Sequence, residues 1–113
     1  NFVLNVEEGS EYGFADGDGK SDTALTEVAQ ARVPPGLRDL AAESMFEFGA
    51  RVGFWRLARL FRDRGLPATV FASALALERN PAMAQAIAAT DWDVLCHGWR
   101  WVEHYLLDEA TER

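Results

Sequence analysis

Residues 80–98, "NPAMAQAIAATDWDVLCHG", contain a helix start, a strand and a candidate catalytic side chain in that order. Asn80 is a cap residue, and proline follows at the first helical position, where its missing N–H is no loss and its fixed φ suits the turn. This predicts a helix from Pro81 to about Thr90. Trp92-Asp-Val-Leu-Cys96 then reads as a short apolar strand that delivers His97 to a glycine.

The same alternation extends toward the N-terminus. Ala68-Thr-Val-Phe-Ala-Ser73 is a second apolar run. Before it, Phe54, Leu57, Ala58 and Phe61 fall at i, i+3, i+4 and i+7, with Arg56, Arg59, Arg62 and Asp63 on the other side, the pattern of an amphipathic helix. Phe54, Trp55, Leu57, Leu60 and Phe61 are expected in the core. Gly65 and Pro67 end this helix. Its start is ambiguous: Ser44 and Glu47 have the spacing of a capping box, whereas Gly49 argues for a regular helix beginning a turn later. Phe2 to Val6 reads as the first strand, closed by Glu7-Glu8-Gly9. Strand, helix, strand, helix, strand predicts an α/β fold with parallel strands joined by right-handed crossovers.

A chain of 113 residues that is 49% hydrophobic supports one modest core, so at most one domain is expected. Its net charge of −7, with no basic stripe, makes nucleic acid and anionic membrane poor partners. No apolar stretch approaches the roughly 20 residues that cross a bilayer, and no leader is visible. A single cysteine allows no disulfide framework and favours a reducing compartment, the cytoplasm. The chain begins with Asn1 directly before an apolar run and stops at "DEATER", which looks like a helix opening. Residues 1–113 are therefore expected to be one partial domain, a fragment of a longer protein.

Parallel strands bring their C-terminal ends to one edge, where such folds build their sites. Glu7 and Glu8 end the first strand and His97 the third, so a carboxylate pair should meet an imidazole, a plausible hydrolytic set. The plainer alternatives are a solvated strand end and a structural histidine. Cys96 should point opposite to His97 as a buried, inert thiol, and His104 reads as a surface or supporting residue. From Ser10 to about Gly36, closed by Pro34-Pro35, the chain reads as a long, variable surface loop. Within it Asp16-Gly-Asp18-Gly-Lys20-Ser-Asp22 begins like a calcium loop, but Lys20 occupies a ligand position and a plain loop is expected.

Asn5-Val6-Glu7-Glu8-Gly9 together with His97-Gly98-Trp99-Arg100-Trp101 resembles the two motifs of the NodB-type polysaccharide deacetylase superfamily. The intervening "ESMFEFGARVGFWRLARLFRDRGLPATVFASALALERNP" resembles its metal-independent allantoinase branch. The resemblance covers nearly the whole chain and is weakest from Ser10 to Arg32. It implies the N-terminal part of an incomplete seven-stranded (β/α) barrel with parallel strands, longer than this chain. In the metal-dependent deacetylases the first motif supplies a base and a metal ligand, the second two histidines four residues apart. By position Glu7 then stands for the base, Glu8 for the ligand, His97 for the first histidine and Trp101 for the second.

Glutamate is one methylene longer than aspartate, whereas metal sites hold ligand distances within about ±0.2 Å, and an indole nitrogen only donates. No cofactor is therefore expected, with a divalent metal such as Zn²⁺ as the alternative. The resemblance implies hydrolysis of a non-peptide C–N amide bond, the opening of allantoin to allantoate, with a small-molecule ureide as partner. Glu7 is the expected general base, with Glu8 and His97 orienting water or stabilising the oxyanion. Trp99 or Trp101 is expected as an aromatic wall, and Arg51, Glu43 or Glu47 as a hydrogen-bonding partner of the substrate. The other readings are an N-deacetylase acting on a polysaccharide or peptidoglycan, and a catalytically silent binding domain. The full-length protein is expected to be a homo-oligomer.

Overall fold

Burial along residues 68–72 alternates: Ala68, Val70 and Ala72 are buried, while Thr69 and Phe71 between them are half-buried. This two-residue period marks a strand with one fully covered face. It is the middle strand, β2 (Ala68–Ala72), of a three-stranded parallel sheet in which β1 (Phe2–Val6) and β3 (Asp93–Cys96) are the edges. The computed structural model describes residues 2–24, 26, 33–34 and 36–112; Pro35, which closes the expected loop, lies outside the described residues.

The register aligns Leu4, Val70 and Val94 in one row and Val6, Ala72 and Cys96 in another. Val6, Val70 and Ala72 pack against Phe54, Met83 and Ile87 of the covering helices to make the core. Asn5, Phe71 and Leu95 form the neighbouring row, so they belong to the opposite face of the sheet. Continuing the alternation past the strand ends puts Glu7, Ser73 and His97 on that second face. The expected α/β architecture with parallel strands is present.

The helix between β1 and β2 departs from expectation. It starts at α1 (Leu40–Phe48), passes through one π turn (Gly49–Gly53) and continues as α2 (Phe54–Arg64). Asp39 is the cap, its carboxylate accepting from the Ala42 N–H at 3.0 Å, and Ser44 lies mid-helix with its hydroxyl donating to Ala41 O. Gly49 does not delay the helix, because its φ of −54° and ψ of −52° are ordinary helical values. The chain instead takes in an extra residue, and the Phe54 N–H reaches back to Gly49 O, five residues earlier. Gly65, at φ +59°, ends α2 as expected. Phe54 and Phe61 are buried, but Leu57 and Leu60 are exposed, since no described element covers that side of α2.

After β2, a short helix absent from the sequence reading, α3 (Ala74–Arg79), precedes α4 (Pro81–Ala88). Asn80 caps α4 as expected, accepting from the Met83 N–H at 3.2 Å. A last helical turn, α5 (Glu109–Glu112), closes the described chain. Cys96 corrects the sequence reading: its thiol is exposed, because β3 is an edge strand whose residues are all open to solvent. Among the described residues no helix is long and apolar enough to cross a membrane.

Candidate functional site

Backbone bonds that prolong the ladders hold the three strand ends level: Ser73 N–H donates to Val6 O at 3.0 Å and His97 N–H to Ala72 O at 2.9 Å. From these ends the side chains of Glu7 and His97, 90 residues apart in sequence, converge until Oε1 and Nε2 are 2.6 Å apart. So short a contact requires a proton between the two atoms. Beneath the imidazole, the Phe71 ring stacks at 3.9 Å and 23°. The Glu7 carboxyl is raised above its ordinary range: burial pushes it up, His97 partly offsets this, Glu8 pushes it further and an Asn5 hydrogen bond pulls it back. A carboxylate raised in this way is a stronger base than one in water.

Glu8 stands beside this pair without joining its hydrogen bond. Its Oε2 accepts weakly from the Glu7 N–H at 3.3 Å, and its side chain lies across Gly49, where an added Cβ would come within 2.6 Å of Oε1. Glu8, Ser44 and Phe46 line both of two adjoining clefts and so form the boundary between them. The smaller cleft, about 610 Å³, contains Glu7 and has Trp101 and Phe48 as walls. Trp101 packs edge-on against Phe46, with ring centroids 6.2 Å apart.

The larger cleft, about 1110 Å³, is where Glu43, Glu47 and Arg51 stand. Arg51 and Glu47 pair with each other at 2.8 Å on exposed side chains, while Glu43 accepts from Ser21 at 2.5 Å and pairs with Arg38. Trp99 is 60% exposed and lines neither cleft. The structure therefore gathers Glu7, Glu8 and Trp101 around one cleft, with His97 bonded to Glu7. Arg51, Glu43 and Glu47 lie on the far side of Glu8, and Trp99 stands apart.

Several residues at this edge were given no role in the site from the sequence. Arg100 donates to Ser10 O at 3.2 Å, to Glu11 O at 2.9 Å and with both terminal nitrogens to Asp18 at 3.1 and 2.5 Å. Arg79 pairs with Asp16 and donates to Gly9 O at 2.5 Å. Residues 10–18, the first part of the segment expected to be a variable loop, are thus fastened at this edge, and Asp16 and Asp18 serve as counter-charges. Hydrogen bonding from Arg79 holds the Asp16 carboxyl low. Burial would raise Asp18, but hydrogen bonds from Arg100 and the Gly13 N–H outweigh it and its carboxyl is also held low. Ser73, with no solvent exposure, has a hydroxyl without a hydrogen-bond partner among the described residues.

The donor set does not suit a metal centre. Glu7 is committed to His97, Glu8 lies on the Gly49 backbone, and Trp101 offers no lone pair. Among the described residues no group of three or more His, Cys, Asp or Glu side chains is arranged so that it could hold a metal ion.

A polysaccharide deacetylase family model matches residues 39–113. A putative polysaccharide deacetylase of Schizosaccharomyces pombe is 35% identical over 113 residues, which is 99% of this chain and 35% of that protein. Among solved structures, Puue allantoinase superposes with a TM-score of 0.90 at 39% identity, over 99% of this chain and 37% of its own. A probable polysaccharide deacetylase from Pseudomonas aeruginosa PAO1 does so with a TM-score of 0.90 at 43% identity, over the same shares of the two chains, 99% and 37%. The chain thus spans about a third of the length of the relatives it matches, and its sheet and helices are part of their larger barrel fold. With a family model matching most of its length and two superpositions of this quality, the chain belongs to the polysaccharide deacetylase family.

Proposed function

We propose that the protein is a metal-independent hydrolase of non-peptide amide bonds that opens the hydantoin ring of allantoin to allantoate, in the cytoplasm. The observation that carries this reading is the 2.6 Å contact between Glu7 and His97 at the rim of a cleft walled by Trp101. The likeness to Puue allantoinase supports the choice of substrate.

In this mechanism Glu7 takes a proton from water as the oxygen bonds to a cyclic amide carbon. His97 donates to Glu7 through Nε2 and keeps the carboxylate in line, while Glu8 orients the attacking water. The amide oxygen becomes an oxyanion. As it collapses, the C–N bond breaks and the proton held by Glu7 passes to the departing nitrogen. Trp101, rather than the solvent-facing Trp99, supplies the aromatic wall, and Arg51 and Glu47 bind the ureide tail.

The test supplies allantoin to chelator-treated full-length protein and measures allantoate. Activity lost on chelation and restored by Zn²⁺ would sink the metal-free mechanism. A second reading, N-deacetylation of a polysaccharide, is favoured by the match over residues 39–113. Release of acetate from an N-acetylated sugar polymer, with allantoin untouched, would establish it instead.

A further inference from the structure

We infer that Gly49 is a positioning residue for Glu8: the π turn that begins there presents bare backbone, and the Glu8 carboxylate is seated on it. This rests on reading Glu7, Glu8 and His97 as a hydrolytic set.

Nothing in the backbone conformation asks for glycine at this position. Its φ and ψ are helical, and glycine is less favourable than alanine inside a helix. What the position lacks is room. A Cβ on Gly49 would lie 2.6 Å from Glu8 Oε1 and 2.9 Å from both Cδ and Cγ. Gly53, at the other end of the same turn, is the contrast, because a Cβ there meets only Phe48 O at 3.8 Å, an ordinary contact. π turns are frequent at functional sites, and this one starts at the residue in contact with Glu8.

The obstacle is a flexible side chain and not a backbone atom, so a methyl at Gly49 would displace Glu8 without unfolding the helix. To restore ordinary contact at 3.4 Å, Oε1 must retreat by 3.4 − 2.6, about 0.8 Å. Misplacement of a catalytic group by about 1 Å can cost about a hundredfold in rate.

The experiment makes Gly49→Ala, Gly53→Ala and Glu8→Ala in the full-length protein, with Gly49→Ala also combined with Glu8→Ala, and follows turnover and thermal unfolding. Gly49→Ala should leave the melting temperature unchanged or raised and lower kcat about ten- to a hundredfold with little change in KM. Gly53→Ala should leave kcat unchanged. Once Glu8 is alanine, Gly49→Ala should have no further effect on kcat, since neighbouring residues acting together are not additive. Wild-type kcat in Gly49→Ala, additive losses in the double variant, or a Gly49→Ala protein that fails to fold would each overturn the inference. If the wild type turns over neither allantoin nor an N-acetylated sugar, the catalytic reading falls and the melting temperatures decide. Gly49→Ala must then gain more stability in the Glu8→Ala background than in the wild type, and equal gains overturn it.

Discussion

Glu7 and His97 are bonded across the mouth of the sheet, Oε1 to Nε2 at 2.6 Å, with Phe71 stacked beneath the imidazole. Glu7 must be ionised to act as a base, and its carboxyl is raised above the ordinary 4.5, chiefly by burial. The acid limb of kcat/KM should therefore lie above pH 4.5. Glu8 pushes that carboxyl up and His97 pulls it down. Accordingly, Glu8→Gln should move the limb to lower pH and His97→Gln to higher pH, the latter with a loss of about a hundredfold or more in rate. A limb that stays put in both variants would remove Glu7 from the role of base.

The same raised carboxyl has a consequence for stability. A group whose pKa is raised on folding stabilises the fold below its unfolded value, and this contribution is lost as pH rises through the folded value. At neutral pH the Glu7 charge is therefore a burden on the fold. Glu7→Gln should melt at a higher temperature than the wild type at pH 7, with the difference shrinking toward pH 4, even as turnover is lost. Thermal unfolding followed across that range checks the sign.

Arg100 ties residues 10–18 to the segment after β3 through two backbone carbonyls and the Asp18 carboxylate. Arg100→Ala should destabilise the fold by about 1–3 kcal/mol, and Arg100→Lys should recover little, because an ammonium cannot reproduce the planar fork. Asp16 and Asp18 are held below the ordinary 3.8, so the stability they add is full above that value and is lost as pH falls through their folded values. Arg100→Ala should accordingly show a smaller loss of stability on acidification from pH 5 to pH 2. Denaturant unfolding at these pH values provides the measurement.

Short-range patterns made much of this molecule legible. Alternating apolar runs located all three strands, and the Asn80-Pro81 cap and Gly65 fixed helix ends, because each signal depends on its own few residues. Parallel pairing then made the meeting of Glu7 and His97 foreseeable. What could not be read is what depends on partners elsewhere in the chain. Gly49 looked like a helix breaker because the reason for its presence, Glu8, lies 41 residues earlier. Asp16 and Asp18 looked like loop polarity because Arg79 and Arg100 arrive from other elements. Cys96 looked buried because strand alternation gives a direction but not whether anything covers that face.

The cap on α1 is one such local device that the sequence reading passed over. Asp39 is 6% exposed, accepts from the Ala42 N–H at 3.0 Å and donates its own N–H to Ser21 at 3.0 Å. Asp39→Ala should cost about 1 kcal/mol, and Asp39→Asn or Asp39→Ser should restore most of it, as both retain an acceptor. An equal loss in all three variants would show that the charge, and not the cap, is what matters. Melting temperatures of the set distinguish the two.

Ser73 buries a hydroxyl at a cost to the fold. It ends the central strand, between the strands that deliver Glu7 and His97, and its buried hydroxyl makes neither a cap bond to α3 nor any other hydrogen bond among the described residues. Leaving such a group unpaired costs about 1–3 kcal/mol, so Ser73→Ala, which removes only the oxygen, should raise stability by about 1 kcal/mol. Alanine at a structural position would do no more than that. Ser73 also falls in the row of Glu7 and His97, so a hydroxyl that served the reaction from there would show itself as a fall in kcat/KM while the melting temperature rises. Natural proteins accept such trade-offs between stability and activity at their sites. A Ser73→Ala protein that is more stable and fully active would limit the hydroxyl to a tolerated packing defect, and one that is less stable would show that it has a partner in solution.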